Sequence, residues 1–166
     1  MSLRATSARV AGAGLGVNSV RTRRYRRAAL HLLVGDMLNA SQEIRCVRDP
    51  TRGGLSSALN EIAMQSQVGI ELQENTIPVR EEVRGACEML GLDPLYVANE
   101  GKLIAIVAQS AADDVLNAMH RNLLGRQARI IGTVTSSNRS LVTMRTCLGT
   151  TRIVDMLAGD QLPRIC

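Results

Sequence analysis

The hydrophobic pattern changes character near residue 28. Residues 1–27 show no sustained periodicity and are rich in Arg, Gly, Ser and Ala, so we predict a basic, mostly disordered arm there. From residue 28 onward, apolar residues recur three and four positions apart, which predicts a first helix over 28–40. The ordered part of the chain is therefore expected to begin near residue 28.

Helical and strand patterns alternate through the rest of the chain. Helices are predicted at 53–67, 76–92 and 110–125, and strands at 44–47, 69–74, 102–108, 128–135, 140–146 and 150–156. Pro78 and Gly91 are expected to bound the third helix, and Ser110 and Gly125 to cap the fourth. The strands on either side of the SSNR segment are expected to form a hairpin. We predict an α+β domain over 28–158, with helices packed on a mixed sheet, and a flexible tail over 159–166.

Composition narrows the class of protein. Hydrophobic residues make up 45% of the chain, without an apolar run near 18 residues, and aromatic residues make up 1%. We expect a globular, cytoplasmic protein without a membrane span and with an aliphatic core. The net charge of +5 comes from seven arginines in residues 1–30, a stretch without any acid. Nucleic-acid binding through this arm is the weakest hypothesis, because the body offers neither a basic stripe nor aromatic stacking platforms.

The four cysteines are widely spaced and form no C-x-x-C pair. With only two histidines in the chain, neither a metal site nor a disulfide framework is indicated. Cys46, Cys87 and Cys147 lie within apolar patterns, and we predict that they are core residues.

The segment RDPTRGGL (48–55) is the first candidate site. Gly53 and Gly54 would let the backbone approach a ligand at the start of a helix, where unpaired N–H groups favour anions. Arg48 and Arg52 could donate charged hydrogen bonds to a phosphate or carboxylate. Alternatively, Asp49 and Thr51 cap the helix and the glycines only form a tight turn.

The segment NEGK (99–102) is the second candidate. Asn99, Glu100 and Gly101 form a turn before the most hydrophobic strand, and a carboxylate there could act as a general base. Lys102, the only lysine of the chain, follows directly. The alternative is an exposed acid in a turn that merely begins the strand.

The C-terminal tail is the third candidate, because it ends on Cys166. Eight extended residues reach about 25 Å, and a terminal thiol is sterically accessible as a nucleophile. The alternative is an idle thiol.

Taken together, RDPTRGGLSSALNEIA, NEGKLIAIVA and the terminal PRIC resemble the C-terminal domain of the HypE family of hydrogenase maturation proteins. This family belongs to the aminoimidazole-ribonucleotide-synthetase-like enzymes that use ATP. The resemblance covers about residues 30–166, and residues 1–27 do not share it.

The resemblance implies an ATP-dependent carbamoyl dehydratase, a lyase. Cys166 would receive a carbamoyl group from the carbamoyltransferase HypF, and the thiocarboxamide would be dehydrated to a thiocyanate. The cyanide would pass to iron on the HypC–HypD complex for [NiFe]-hydrogenase. Glu100 would assist deprotonation of the carbamoyl nitrogen, and the loop residues Asp49, Arg52, Gly53 and Gly54, with Asn99, would line the substrate or phosphate.

In this family an N-terminal domain supplies the site for ATP and Mg and the main homodimer interface, and no segment of this sequence matches it. We therefore expect this chain alone to lack dehydratase activity. Two alternatives stay open: another enzyme of the same superfamily, such as a thiamine-monophosphate kinase or a selenophosphate synthetase, and a non-catalytic module that docks on maturation partners. The enzymes of the first alternative need no terminal thiol, so the chemical fate of Cys166 distinguishes them from a carbamoyl dehydratase. A Cys166→Ala change that left the biological role intact would favour the second alternative.

Overall fold

A computed structural model describes residues 8–14 and 30–156. Seven strands form one sheet: β1 Ala8–Gly14, β2 Ile44–Arg48, β3 Gly69–Gln73, β4 Lys102–Ala108, β5 Arg129–Thr135, β6 Val142–Arg145 and β7 Thr151–Ile153. Four helices accompany them: α1 Leu30–Ala40, α2 Gly54–Ser66, α3 Glu81–Leu90 and α4 Ala112–Arg121. Short 3₁₀ turns lie at Glu74–Thr76, Pro94–Tyr96 and Gln109–Ala111.

The strand order in the sheet is β2-β4-β1-β5-β3-β6-β7. Neighbouring strands are antiparallel, except for the parallel pair β3 and β6. The predicted α+β fold with a mixed sheet is confirmed, and so is the buried, interior position of β4.

Two hydrophobic clusters divide the core between the faces of the sheet. On one face, which we call the α2 face, the core includes Leu59, Ile70 and Ile106 with the 3₁₀ turn Pro94–Tyr96 nearby. On the other, the α1/α4 face, Leu33 of α1 and Met119 of α4 pack against β4. Alternate residues of β4 point to opposite faces, so this one strand contributes to both cores.

The prediction of a disordered arm is wrong for residues 8–14. They form β1 at the centre of the sheet, with Val10 fully buried and paired with Ile106 of β4 on one side and Gly132 of β5 on the other. The run ARVAGAG has small side chains, which suit a strand with a close neighbour on each side. The arginines of the surrounding sequence led instead to the prediction of a disordered arm. The rest of residues 1–27 lies outside the described residues.

The predicted hairpin between β5 and β6 is also wrong, because β3 lies between them. The connection passes across the start of β3, where the Ser140 N–H donates to the Val68 carbonyl at 2.9 Å and the Ile70 N–H donates to the Leu141 carbonyl at 3.0 Å. A Cβ atom at Gly69 would lie 2.0 Å from the Ser137 carbonyl oxygen. Glycine at this position is therefore what lets the connection cross so closely.

Helix boundaries were predicted less well than the helices themselves. α3 begins at Glu81, three residues after Pro78, and ends as expected before Gly91, whose φ is +66°. α4 begins at Ala112 after a 3₁₀ turn that contains Ser110, so Ser110 is not its N-cap. It ends at Arg121, four residues short of Gly125.

The core assignment of the cysteines holds for Cys87, which is buried, and in part for Cys46, which packs against the core. It is wrong for Cys147, which is exposed in the turn that follows β6. Its backbone N–H donates to a Glu74 carboxylate oxygen at 2.7 Å, and the hydrogen bond of Glu74 with the thiol raises the pKa of Cys147.

Candidate functional site

A cleft of about 600 Å³ opens on the α2 face at the end of the sheet where β4 begins. Its apolar lining from the sheet comes from Gly12 of β1, Ile104 of β4 and Ile131 of β5. Pro50 and Leu55 from around the start of α2 line it as well. A volume of this size is typical of sites for small molecules.

The RDPTRGG loop contributes to this cleft through Pro50, while Asp49 and Arg52 are exposed in the same loop. α2 starts at Gly53 and Gly54, both with positive φ, and no side-chain hydrogen bond caps the helix. The alternative in which Asp49 or Thr51 caps α2 is therefore not observed.

Gly54 is required by packing. A Cβ atom there would lie 2.5 Å from the Leu95 carbonyl oxygen and 2.7 Å from that of Val97. These contacts are closer than real Cβ atoms make, and a φ of +63° adds strain for any other residue. The close approach that the sequence indicated at Gly54 is thus made by the backbone around the 3₁₀ turn Pro94–Tyr96.

Asn99 joins the second motif to the first. Its backbone N–H donates to the Pro50 carbonyl at 3.0 Å, and its side-chain Nδ2 donates to the Val97 carbonyl at 2.7 Å. Asn99 also lines the cleft, whereas Glu100 is exposed at the following turn. The structure therefore brings the NEG and RDPTRGG loops together, and of the predicted site residues that the structure describes, Asn99 lines the cleft.

The third candidate, Cys166, lies outside the described residues, but the chain leading towards it is described as far as Met156. Asn60 donates through Nδ2 to the Val154 carbonyl at 2.8 Å and to the Ser56 carbonyl at 3.0 Å. The Ser56 hydroxyl donates to the Asp155 carbonyl. Segment 154–155 is thus held on the first turns of α2 through Ser56 and Asn60, and Ser56 directly follows the cleft residue Leu55 in sequence.

Sequence reasoning missed these anchoring residues. Ser56 and Asn60 are buried polar residues of α2, and Arg152 of β7 pairs with Asp93 at 2.6 Å. The other Asp93 oxygen accepts the Leu95 N–H at 2.9 Å. Polar residues four apart on the apolar side of a predicted helix were a usable signal for Ser56 and Asn60.

Lys102, at the beginning of β4, is half-buried in the cleft. Burial and the positive charge of Arg80 lower its pKa. Among the described residues, no group of three or more His, Cys, Asp or Glu side chains could hold a metal ion, so they do not fit a complete Mg²⁺ site.

None of the helices in the described ranges is long and apolar enough to cross a membrane.

Several curated proteins that are similar to this chain are named carbamoyl dehydratase HypE. The chain is 61% identical over 138 residues to carbamoyl dehydratase HypE of Azotobacter vinelandii and 58% identical over 139 residues to that of Cupriavidus necator. These matches cover 83% and 84% of this chain and 40% of each relative. The chain thus spans less than half the length of these relatives.

Solved structures of HypE proteins have the same fold as this chain. HypE in complex with ATP is similar at a TM-score of 0.85 and 39% identity, covering 98% of this chain and 53% of that one. The HypE–HypF complex is similar at a TM-score of 0.80 and 35% identity, covering 94% of this chain and 54% of that one. Residues 7–145 match the family model described as AIR synthase related protein, C-terminal domain. The chain therefore belongs to the AIR synthase related family, through that family's C-terminal domain.

Proposed function

We propose that this chain is the part of a HypE-type carbamoyl dehydratase that presents the reacting cysteine. The observation that supports this best is the hydrogen bond from Asn99 to Pro50, which unites the two motif loops at one cleft. Segment 154–155 is anchored on α2, the helix that also supplies the cleft residue Leu55, and this supports delivery of a sulfur from the same chain. The similarity to relatives named carbamoyl dehydratase supports the reaction class.

In the proposed reaction, the Cys166 thiolate attacks the carbonyl carbon of a carbamoyl donor and forms a C–S bond, while the bond from that carbon to the donor's phosphate oxygen breaks and the phosphate group leaves. The thiocarboxamide then loses one oxygen and two hydrogens, formally as water, and becomes a thiocyanate. ATP, when bound, supplies the phosphoryl group that turns the carbonyl oxygen into a leaving group. We assign Glu100 the role of proton acceptor from the nitrogen, because it is exposed at the turn beside Asn99 and accessible to a tethered substrate.

The loop residues have supporting roles in this proposal. Asp49 and Arg52 are exposed beside the cleft residue Pro50 and would contact the substrate or its phosphate. Gly53 and Gly54 would set the path of the loop through their positive φ. The carboxylates of the described part provide no complete metal site, and none of these roles depends on Mg²⁺.

The proposed partners follow from the chemistry of the tail. A carbamoyltransferase of the HypF type would load Cys166, as the solved HypE–HypF complex of a similar protein suggests, and a HypC–HypD complex would accept cyanide on iron for [NiFe]-hydrogenase. The complete protein would form a homodimer. The described cysteines Cys46, Cys87 and Cys147 are free, which supports a reducing, cytoplasmic location.

Mass spectrometry of the C-terminal peptide tests the proposal. After incubation with the carbamoyltransferase, ATP and carbamoyl phosphate, Cys166 should gain about 43 mass units, and Cys166→Ala should abolish the gain. An unmodified Cys166 beside a carbamoyltransferase that turns over normally would refute the proposal.

The role of Glu100 is tested in a second experiment. The carbamoylated chain is mixed with ATP and a separately produced N-terminal part of the Azotobacter vinelandii relative, and dehydration should leave a gain of about 25 mass units. Glu100→Gln should slow this step about 10²- to 10⁴-fold without preventing carbamoylation. The control, Glu88→Gln, changes an exposed glutamate of α3 that does not line the cleft. Equal rates for the two variants would exclude the proposed role.

A further inference from the structure

An ion pair on the last strand joins β7 to the 3₁₀ turn that precedes the NEG loop. Arg152 of β7 donates through Nη2 to one carboxylate oxygen of Asp93 at 2.6 Å. The other carboxylate oxygen accepts the Leu95 N–H of the turn at 2.9 Å. The Asp93 carboxylate therefore holds β7 and the turn Pro94–Tyr96 at the same time, and no step of the proposed chemistry uses it.

On the side of the turn, hydrogen bonds continue to the NEG loop. The Val97 N–H donates to the Pro94 carbonyl at 3.4 Å, and the Val97 carbonyl accepts the side chain of Asn99 at 2.7 Å. Asn99 directly precedes Glu100, to which we assign the role of proton acceptor. Asp93 is thus connected to the loop of Glu100 by a short, hydrogen-bonded stretch of chain.

On the side of the strand, Arg152 lies two positions before segment 154–155, which is held on α2. The Val154 N–H also donates to the Val142 carbonyl at 2.8 Å and thereby continues the pairing of β6 with β7. These contacts fix the point from which residues 157–166 leave the domain. Ten extended residues reach about 33 Å, so the place and direction of departure decide which surfaces a terminal thiol meets most often.

We propose that Asp93 and Arg152 are positioning residues, which fix the start of residues 157–166 relative to the NEG loop and so raise the local concentration of the Cys166 sulfur beside Glu100. This inference rests on the proposed function, because it concerns delivery of the same sulfur. The two side chains are 31% and 40% exposed, and an ion pair of this kind contributes little to stability. Its expected effect is therefore on the effective concentration of the tethered thiol.

A thiol–disulfide equilibrium measures this concentration without carbamoyl chemistry. Ala98→Cys places a thiol at an exposed position beside Asn99, and Cys147→Ser removes an exposed thiol that would compete. With oxidised glutathione, the thiol at position 98 and that of Cys166 form one intrachain disulfide, and two molecules of reduced glutathione are released. The ratio of this disulfide to the glutathione adducts gives the effective concentration of Cys166 at the NEG loop.

In this background, Arg152→Met should lower the effective concentration about two- to fivefold, the range that loss of a partly exposed ion pair can produce. Asp93→Asn should do the same, although its amide oxygen can still accept the Leu95 N–H. Arg152→Lys keeps the charge and should keep most of the wild-type value. Arg45→Met is the matched control, because it breaks the exposed ion pair of Arg45 with Glu43 at the opposite edge of the sheet, and it should change nothing.

An unchanged or higher effective concentration in Arg152→Met and Asp93→Asn, or an equal fall in Arg45→Met, would overturn the proposal. All variants are compared at temperatures where circular dichroism shows them folded. Mass spectrometry of the two reaction steps gives a second measurement: Arg152→Met should be carbamoylated at the wild-type rate but dehydrated about two- to fivefold more slowly. Equal slowing of both steps would indicate a merely structural role. The disulfide equilibrium needs neither ATP nor a carbamoyl donor, so failure of this proposal and failure of the proposed function are distinguishable.

Discussion

The two faces of the sheet are built from the same strands but differ in how they are covered. On the α1/α4 face, two helices pack through a hydrophobic cluster that includes Leu33 and Met119, and the hydrogen bond from Asn122 to Asp36 that also joins them is exposed. On the α2 face, the hydrophobic cluster is joined by buried polar residues, backbone contacts around Gly54 and an open cleft. The difference teaches that helices close one face by hydrophobic packing, while the other face combines packing with an open cleft, where we place the proposed reaction.

The sharpest test of this difference is Gly54→Ala on the α2 face. The new Cβ would collide with the Leu95 and Val97 carbonyl oxygens, and we expect a loss of about 5 kcal/mol of unfolding free energy, or no folded protein. Gly91→Ala is the control, because Gly91 has a similar φ of +66° but an open surrounding. It should cost about 1 kcal/mol. Similar losses from urea denaturation of the two variants would contradict the role of the backbone contact.

Leu33→Ala tests the α1/α4 face. Leu33 is fully buried, and its truncation should lower the unfolding free energy by about 3 kcal/mol, from lost burial and the cavity left behind. Carbamoylation of Cys166 should keep its wild-type rate at temperatures where the variant is folded, because the cleft lies on the other face. A large change in the carbamoylation rate would show that the two faces are coupled.

Asn60→Ala should have a smaller effect, about 1–3 kcal/mol, since it removes two buried hydrogen bonds and leaves carbonyl groups less well satisfied. In addition, it should loosen segment 154–155, measured as faster amide exchange at Val154 relative to the residues of β7 that precede it. Gln67→Ala is a suitable comparison, because the Gln67 amide also makes two hydrogen bonds but is exposed. Equal destabilisation by both variants would argue against a special anchoring role.

Lys102→Met should change stability least at neutral pH, within about 1 kcal/mol. The pH dependence is more informative. The folded protein releases the Lys102 proton at a lower pH than the unfolded chain does, because the pKa of this lysine is lowered from its ordinary value of 10.5. Between those two values the unfolded chain holds more protons, so the unfolding free energy contributed by Lys102 rises with pH. Subtracting the Lys102→Met curve from the wild-type curve should reveal this rise, and a flat or falling difference would contradict it.

Much of the fold could be predicted because local patterns matched it. The alternation in GIELQE, the β-branched run before Ala108 and the glycine at position 91 each indicated the element that the structure shows. β1 was missed because its small residues carry a weak pattern beside many arginines. The position of β3 between β5 and β6 depends on long-range pairing, which local patterns do not encode.

The candidate site was predicted in part for a similar reason. The RDPTRGG and NEG loops could be recognised as motifs, but their connection through Asn99 and Pro50 is a contact between residues about fifty positions apart. The lining of the cleft, which includes Arg80 and Arg129, likewise comes from segments that are far apart in the sequence. Such a group of residues can be recognised only in the folded structure, where distant segments meet at one end of the sheet.

The central place of β1 also constrains the order in which the molecule can assemble. Ala8 pairs with Ala108 on one side and with Val134 on the other, 100 and 126 positions later in the chain, so β1 can complete neither pairing until β4 or β5 has been made. Contacts so distant in sequence slow folding, because a long loop must close before they form. During synthesis, β1 therefore stays without its two neighbouring strands until β4 and β5 have been made, and the pairing of the sheet is completed late.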